Sequence, residues 1–132
     1  MIFNPEITSF FVRNKEAENN VVMIISGQSL PMQQRIVLGI GLIYLKTNTL
    51  YRGILTVECD GKIIIKDDDL VFPVQQLTPK NEIVDGLVGA TFNMNTPIIN
   101  LTEGAYKITL KLLSKDSKEL SSRSVYFFVK EG

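Results

Sequence analysis

The chemistry a chain can do is limited first by the side chains it carries. This one has no histidine and a single cysteine, Cys59. That removes Ser-His-Asp and Cys-His nucleophile systems, and it removes the usual ligands of zinc and other transition metals. Cys59 falls on an inward position of a β-patterned segment, where a thiol acts as a small hydrophobe. The run Asp67-Asp68-Asp69 raises calcium, which takes several carboxylates. Consecutive residues cannot all face one ion and the spacing is not that of an EF-hand, so the run is read as a solvated turn. Glu58, Asp60 and Glu103 are candidates for a carboxylate pair of the glycosidase type, but nothing in their spacing selects a pair. Gly39-Ile40-Gly41 lies inside a strand pattern and opens no helix, so it is not a dinucleotide loop. No catalytic residue, metal ligand or cofactor-binding residue is assigned, and the expectation is a protein that is not an enzyme and needs no cofactor.

Six positions point to binding. Gly39 and Gly41 lie two apart on one face of a strand, leaving a groove where another element approaches closely. That element is either a loop or sheet of this chain, or a ligand or subunit. Tyr126 and Phe128 fall outward on the last strand, where two large aromatics mark an interface unless the N-terminal segment with Phe3 covers them. Tyr44 and Tyr51 are the candidate stacking platforms for a small ligand or carbohydrate. With Arg52 and Lys46 they would also be the only stacking surface for nucleic acid.

The elements that position these residues follow from periodicity. Most apolar segments are short, β-branched and bounded by turn residues, which predicts strands and no long helix. Strands are expected over residues 6–12, 21–25, 35–45, 51–59, 62–66, 70–74, 86–94, 105–113 and 123–129. In the segment 35–45, Ile36, Leu38, Ile40, Leu42 and Tyr44 share one face, with apolar residues on the other, so this is a central strand. Asp60-Gly61 is a two-residue hairpin signal. Residues 26–34 form a loop crossing between layers, with Leu30 or Met32 closing one end. Residues 75–85 form a loop with one helical turn at most, and 114–122 a polar turn. The inward sets are Val88, Ala90, Phe92 and Met94, then Tyr106, Ile108, Leu110 and Leu112, then Val125, Phe127 and Val129.

The sequence Leu101-Thr102-Glu103-Gly104-Ala105-Tyr106, followed by an alternating strand, is the pattern of a tyrosine corner, in which the phenol hydroxyl bonds back to upstream backbone. The stretch 101–129 resembles the final hairpin of immunoglobulin-like and fibronectin type III-like sandwiches. The order of elements also resembles small bacterial and phage β-sandwich proteins of unknown role: hairpin, Ser29-Leu30-Pro31 loop, long core strand, and a closing hairpin with Gly104 and Tyr106. The cysteine pair and tryptophan of antibody domains are absent. The resemblance implies a two-sheet antiparallel sandwich of eight or nine strands and carries no site residue with it.

Composition agrees. The chain of 132 residues is 45% hydrophobic, with 14 basic and 14 acidic residues and a net charge of zero. That suits one globular domain over residues 1–132. It lacks the basic footprint of a nucleic-acid binder and any charge bias toward an anionic membrane. Residues 1–6 lack the basic and apolar regions of a signal peptide, and the longest apolar run, 36–45, is half the length of a membrane helix. The expected location is cytoplasmic. The expected function is a non-catalytic interaction or structural module, binding a protein partner or its own copies, in the style of a phage or mobile-element accessory protein. The alternative is a small-ligand or carbohydrate-binding module.

Overall fold

A computed structural model describes residues 3–13, 24–74, 77 and 79–132. Eleven strands run in chain order among them: β1 (Glu6–Arg13), β2 (Ile24–Gly27), β3 (Met32–Gln34), β4 (Val37–Lys46), β5 (Tyr51–Cys59), β6 (Lys62–Phe72), β7 (Glu82–Val84), β8 (Leu87–Asn95), β9 (Ile99–Leu101), β10 (Gly104–Leu113) and β11 (Glu119–Glu131). A 3-10 turn, Pro79–Asn81, precedes β7. The strands build a four-stranded sheet in the order β1-β4-β8-β7 and a five-stranded sheet in the order β2-β11-β10-β5-β6, with β3 and β9 forming a separate pair.

The two larger sheets bury one cluster between them. Leu38, Ile40 and Leu42 from β4, and Val88 and Phe92 from β8, meet Leu55 and Val57 from β5, Ile108, Leu110 and Leu112 from β10, and Phe127 and Val129 from β11. Phe72 and Phe92 join the layers with ring centroids 5.4 Å apart. The predicted inward sets on β8, β10 and β11 are the observed ones. Leu30 and Met32 pack against this core. The fold is an all-β sandwich, as the periodicity and the terminal hairpin require.

Local chemistry fixes the connections. Asp60 and Gly61 both take positive φ, 49° and 83°, which is the type I′ geometry that matches strand twist. The turn also anchors its neighbour: Asp60 N–H donates to the Ala105 carbonyl at 2.8 Å, and its Oδ1 accepts from Ala105 N–H at 3.0 Å. The tyrosine corner is formed. Tyr106 Oη accepts from Thr102 N–H at 2.9 Å and donates to the Thr102 carbonyl at 3.0 Å. The Tyr106 ring stacks on Phe127 at 5.2 Å. On the open side of the sandwich, Ile7 N–H in β1 donates to Ser121 Oγ in β11 at 3.1 Å.

Several expectations are corrected. The aspartate run is not a turn between two strands, because residues 62–72 form the single strand β6. Its register against β5 slips twice, between Leu55 and Val57 and again between Val57 and Glu58. Asp67, at φ 53°, takes up the extra residue as a bulge. Strand β4 also slips, between Leu42 and Leu45, with Tyr44 at φ 60°. The slip reverses the alternation, so Leu45 enters the core and Tyr44 leaves it. The last turn is shorter than expected: Ser114 N–H donates to the Lys118 carbonyl at 2.9 Å and β11 starts at Glu119. One pairing is not antiparallel, since β2 runs parallel to the end of β11.

Candidate functional site

The groove expected over Gly39 and Gly41 is filled by this chain. Both glycines are registered against β1. A Cβ on Gly39 would stand 2.5 Å from Phe11 Cε2, and one on Gly41 would stand 2.7 Å from Thr8 Oγ1. Absence of side chains there lets the Phe11 ring lie flat on the sheet. The Arg13 guanidinium sits over the same ring at 5.1 Å. An outside molecule on this face therefore meets Phe11 and not the glycines.

The two tyrosines suggested for stacking are not brought together. Tyr51 is buried, 3% exposed, and its hydroxyl accepts from Lys46 N–H at 3.0 Å. That bond ties β5 in one sheet to β4 in the other, so its ring has no free face. Tyr44 is half-buried and packs on Phe3, 4.7 Å between centroids. Arg52 is engaged by Asp69 through two hydrogen bonds, 3.2 and 2.6 Å. The hydrogen bond to Asp69, and then its charge, raise the Arg52 pKa further.

The carboxylates do not assemble a centre. Among the described residues no three Cys, Asp or Glu side chains stand together at metal-holding distance. Asp60 is held by the β10 backbone. Glu58 is registered against Lys107, and Asp68 against the buried Leu55. Cys59 is a free, half-buried thiol, with Sγ 3.9 Å from Asp60 Oδ2. Burial raises the Tyr106 phenol above its ordinary value, the hydrogen bond with Thr102 working against that shift.

What remains open is the outer face of the five-stranded sheet. Tyr126 is 59% exposed and Phe128 43%. Phe3, the candidate cover, lies against Tyr44 on the other sheet, so the alternative of an N-terminal cover by Phe3 is set aside. The structure adds Ile24, 55% exposed, which is registered directly against Phe128. On the β10 side, Ala105 is registered against Phe128 and Lys107 against Tyr126. Lys107 Nζ stands 5.9 Å from the Tyr126 ring centroid. Lys130, next in the alternation after Tyr126 and Phe128, is exposed. Sequence reasoning missed Ile24. It read the segment 21–25 as one apolar run, of which residues 21–23 lie outside the described residues. The position of Ile24 beside Phe128 comes from the parallel β2–β11 pairing, which leaves no local signal.

No protein-family model matches the chain, and no similar sequence is found among curated proteins. Solved structures do resemble it. A bacterial adhesin from Mobiluncus mulieris, containing intramolecular disulfide, isopeptide and ester bond cross-links, is similar over 97% of this chain with 8% identity and a TM-score of 0.60, and this chain spans 58% of that structure. A Niemann-Pick type C2 protein from Japanese carpenter ant is similar over 97% of this chain and 94% of its own, with 9% identity and a TM-score of 0.46. At that identity the adhesin likeness speaks for the fold alone, and what it shows is an all-β sandwich of immunoglobulin-like type.

Proposed function

We propose that the chain is a non-catalytic interaction module that docks a protein partner on the outer face of its five-stranded sheet. The observation that carries this reading is the cluster of Ile24, Tyr126 and Phe128, all exposed and all on one side of adjacent strands. Large aromatics on a sheet face carry binding energy when a partner covers them. Strand addition at the far edge of the same sheet is a poorer route. Strand β6 is broken by two register slips and carries exposed Lys62, Lys66 and Asp67, the devices that keep edges from pairing. The adhesin likeness supports a frame that can serve adhesion, and zero net charge supports contact through apolar surface over long-range attraction.

The test compares wild type with the double variant Tyr126→Ser, Phe128→Ser, cross-linked in the native host and quantified by mass spectrometry. Both side chains are outward, so folding is expected to hold, with thermal unfolding as the control. A stoichiometric partner present with wild type and lost with the variant is the expected result. Equal recovery with both would end the proposal.

A further inference from the structure

We propose that the partner presents to this face a short segment carrying apolar side chains flanked by carboxylates; the inference rests on the docking face above and names what fits it. The first argument is size. With aromatic side chains at about 200 Å² each, exposures of 59% and 43% for Tyr126 and Phe128, together with Ile24, leave roughly 250–300 Å² of surface. A stable pair of globular surfaces needs about 800 Å² on each side. The cluster is sized for a few residues.

The second argument is charge. Successive outward positions on β11 are Tyr126, Phe128 and Lys130, and Lys107 lies across from Tyr126. The apolar cluster is thus bounded by a lysine at each end. Two other cations on this face are matched: Arg52 by Asp69 at 2.6 Å and Lys111 by Glu119 at 3.9 Å. Lys107 and Lys130 have no ion pair within 4 Å among the described residues. Glu58, the cross-strand neighbour of Lys107, stands on the side away from Tyr126. Carboxylates on either side of an apolar residue would meet both lysines while that residue covers Phe128.

The same features argue against two other occupants. A second copy docked face to face about a two-fold axis would present the same lysines to each other. A bilayer would have to take up a flat sheet face whose neighbouring row is polar, Thr109 Oγ1 and Ser124 Oγ being 3.0 Å apart.

The experiment titrates the full chain into three fluorescein-labelled peptides, Asp-Leu-Phe-Leu-Asp, Asn-Leu-Phe-Leu-Asn and Lys-Leu-Phe-Leu-Lys, and reads anisotropy. The acidic peptide is expected to bind about tenfold tighter than the basic one, with the neutral peptide between. The ratio should shrink at 0.5 M salt, where screening acts within about 4 Å. Lys107→Glu alone should level the three affinities, Lys107→Glu with Lys130→Glu should reverse the order, and Tyr126→Ser should weaken all three. Equal affinities that still depend on Tyr126, or no measurable binding of any peptide, overturn the acidic segment and leave the face. Affinities indifferent to Tyr126 overturn the face itself. Sedimentation with vesicles of equal phosphatidylserine and phosphatidylcholine that is lost in Tyr126→Ser, or a dimer in light scattering lost in the same variant, would assign the face to lipid or to a second copy and overturn the proposal.

Discussion

Replacing Tyr106 by Phe removes one oxygen and leaves the ring on Phe127. The oxygen accepts from Thr102 N–H at 2.9 Å and donates to the Thr102 carbonyl at 3.0 Å. Two such bonds are worth about 2 kcal/mol net. Thr102 is exposed, so water re-pairs part of its backbone and the expected loss is about 1–2 kcal/mol. For 132 residues the unfolding entropy is about 0.28 kcal/mol/K, so the midpoint should fall by about 4–7 °C. Differential scanning calorimetry at pH 7 measures it. A second arm uses pH. Burial, the largest cause, raises the folded phenol above its ordinary value of 10.0. The native protein therefore keeps a proton that the unfolded chain gives up first. That contribution is complete below about pH 10 and is lost as pH rises through the raised value. The stability gap between wild type and Tyr106→Phe should be flat from pH 7 to 9 and narrow above 10. A midpoint change under 1 °C, or a gap that widens in alkali, would refute the account of the corner.

Three further outcomes follow from buried contacts and from the edge. Thr96 is fully buried and its Oγ1 accepts from Ile36 N–H at 2.9 Å; Thr96→Val should cost about 1–3 kcal/mol in urea unfolding by orphaning that donor, while Thr96→Ser should cost less. Gly39→Ala should destabilise by about 1–2 kcal/mol because the Phe11 ring occupies the space, and the penalty should shrink in a Phe11→Ala background, a coupling that a double-mutant cycle reads directly. Strand β6 ends its sheet with Lys66 and Asp68 beside exposed Ile63 and Ile64; Lys66→Val with Asp68→Val should raise self-association in light scattering at constant temperature, and an unchanged mass would show that the bulges alone protect the edge.

Much of this molecule is written in short-range pattern. The alternation through Tyr106, Ile108, Leu110 and Leu112 can satisfy a buried face only as a strand, and all four are buried. Asp60-Gly61 tolerates positive φ where most pairs do not, so the hairpin is local chemistry. Thr102 to Tyr106 closes the corner over four residues. The outward places of Tyr126 and Phe128 follow from the inward places of Phe127 and Val129. What the sequence left undecided depends on partners distant in the chain. The slips in β4 and β6 reverse which residues face inward, so Tyr44 left the core and Asp67-Asp68-Asp69 became strand, and a one-residue slip has no signature in the residues that slip. Tyr51 is unavailable for stacking because the packing of the two sheets buries its ring, although its hydroxyl partner, Lys46 N–H, is only five residues away. Phe11 fills the space over Gly39 only because β1 pairs with β4. Ile24 joins Phe128 only because β2 runs parallel to β11. Alternation determined which side each residue shows; the pairing of strands decided what that side meets.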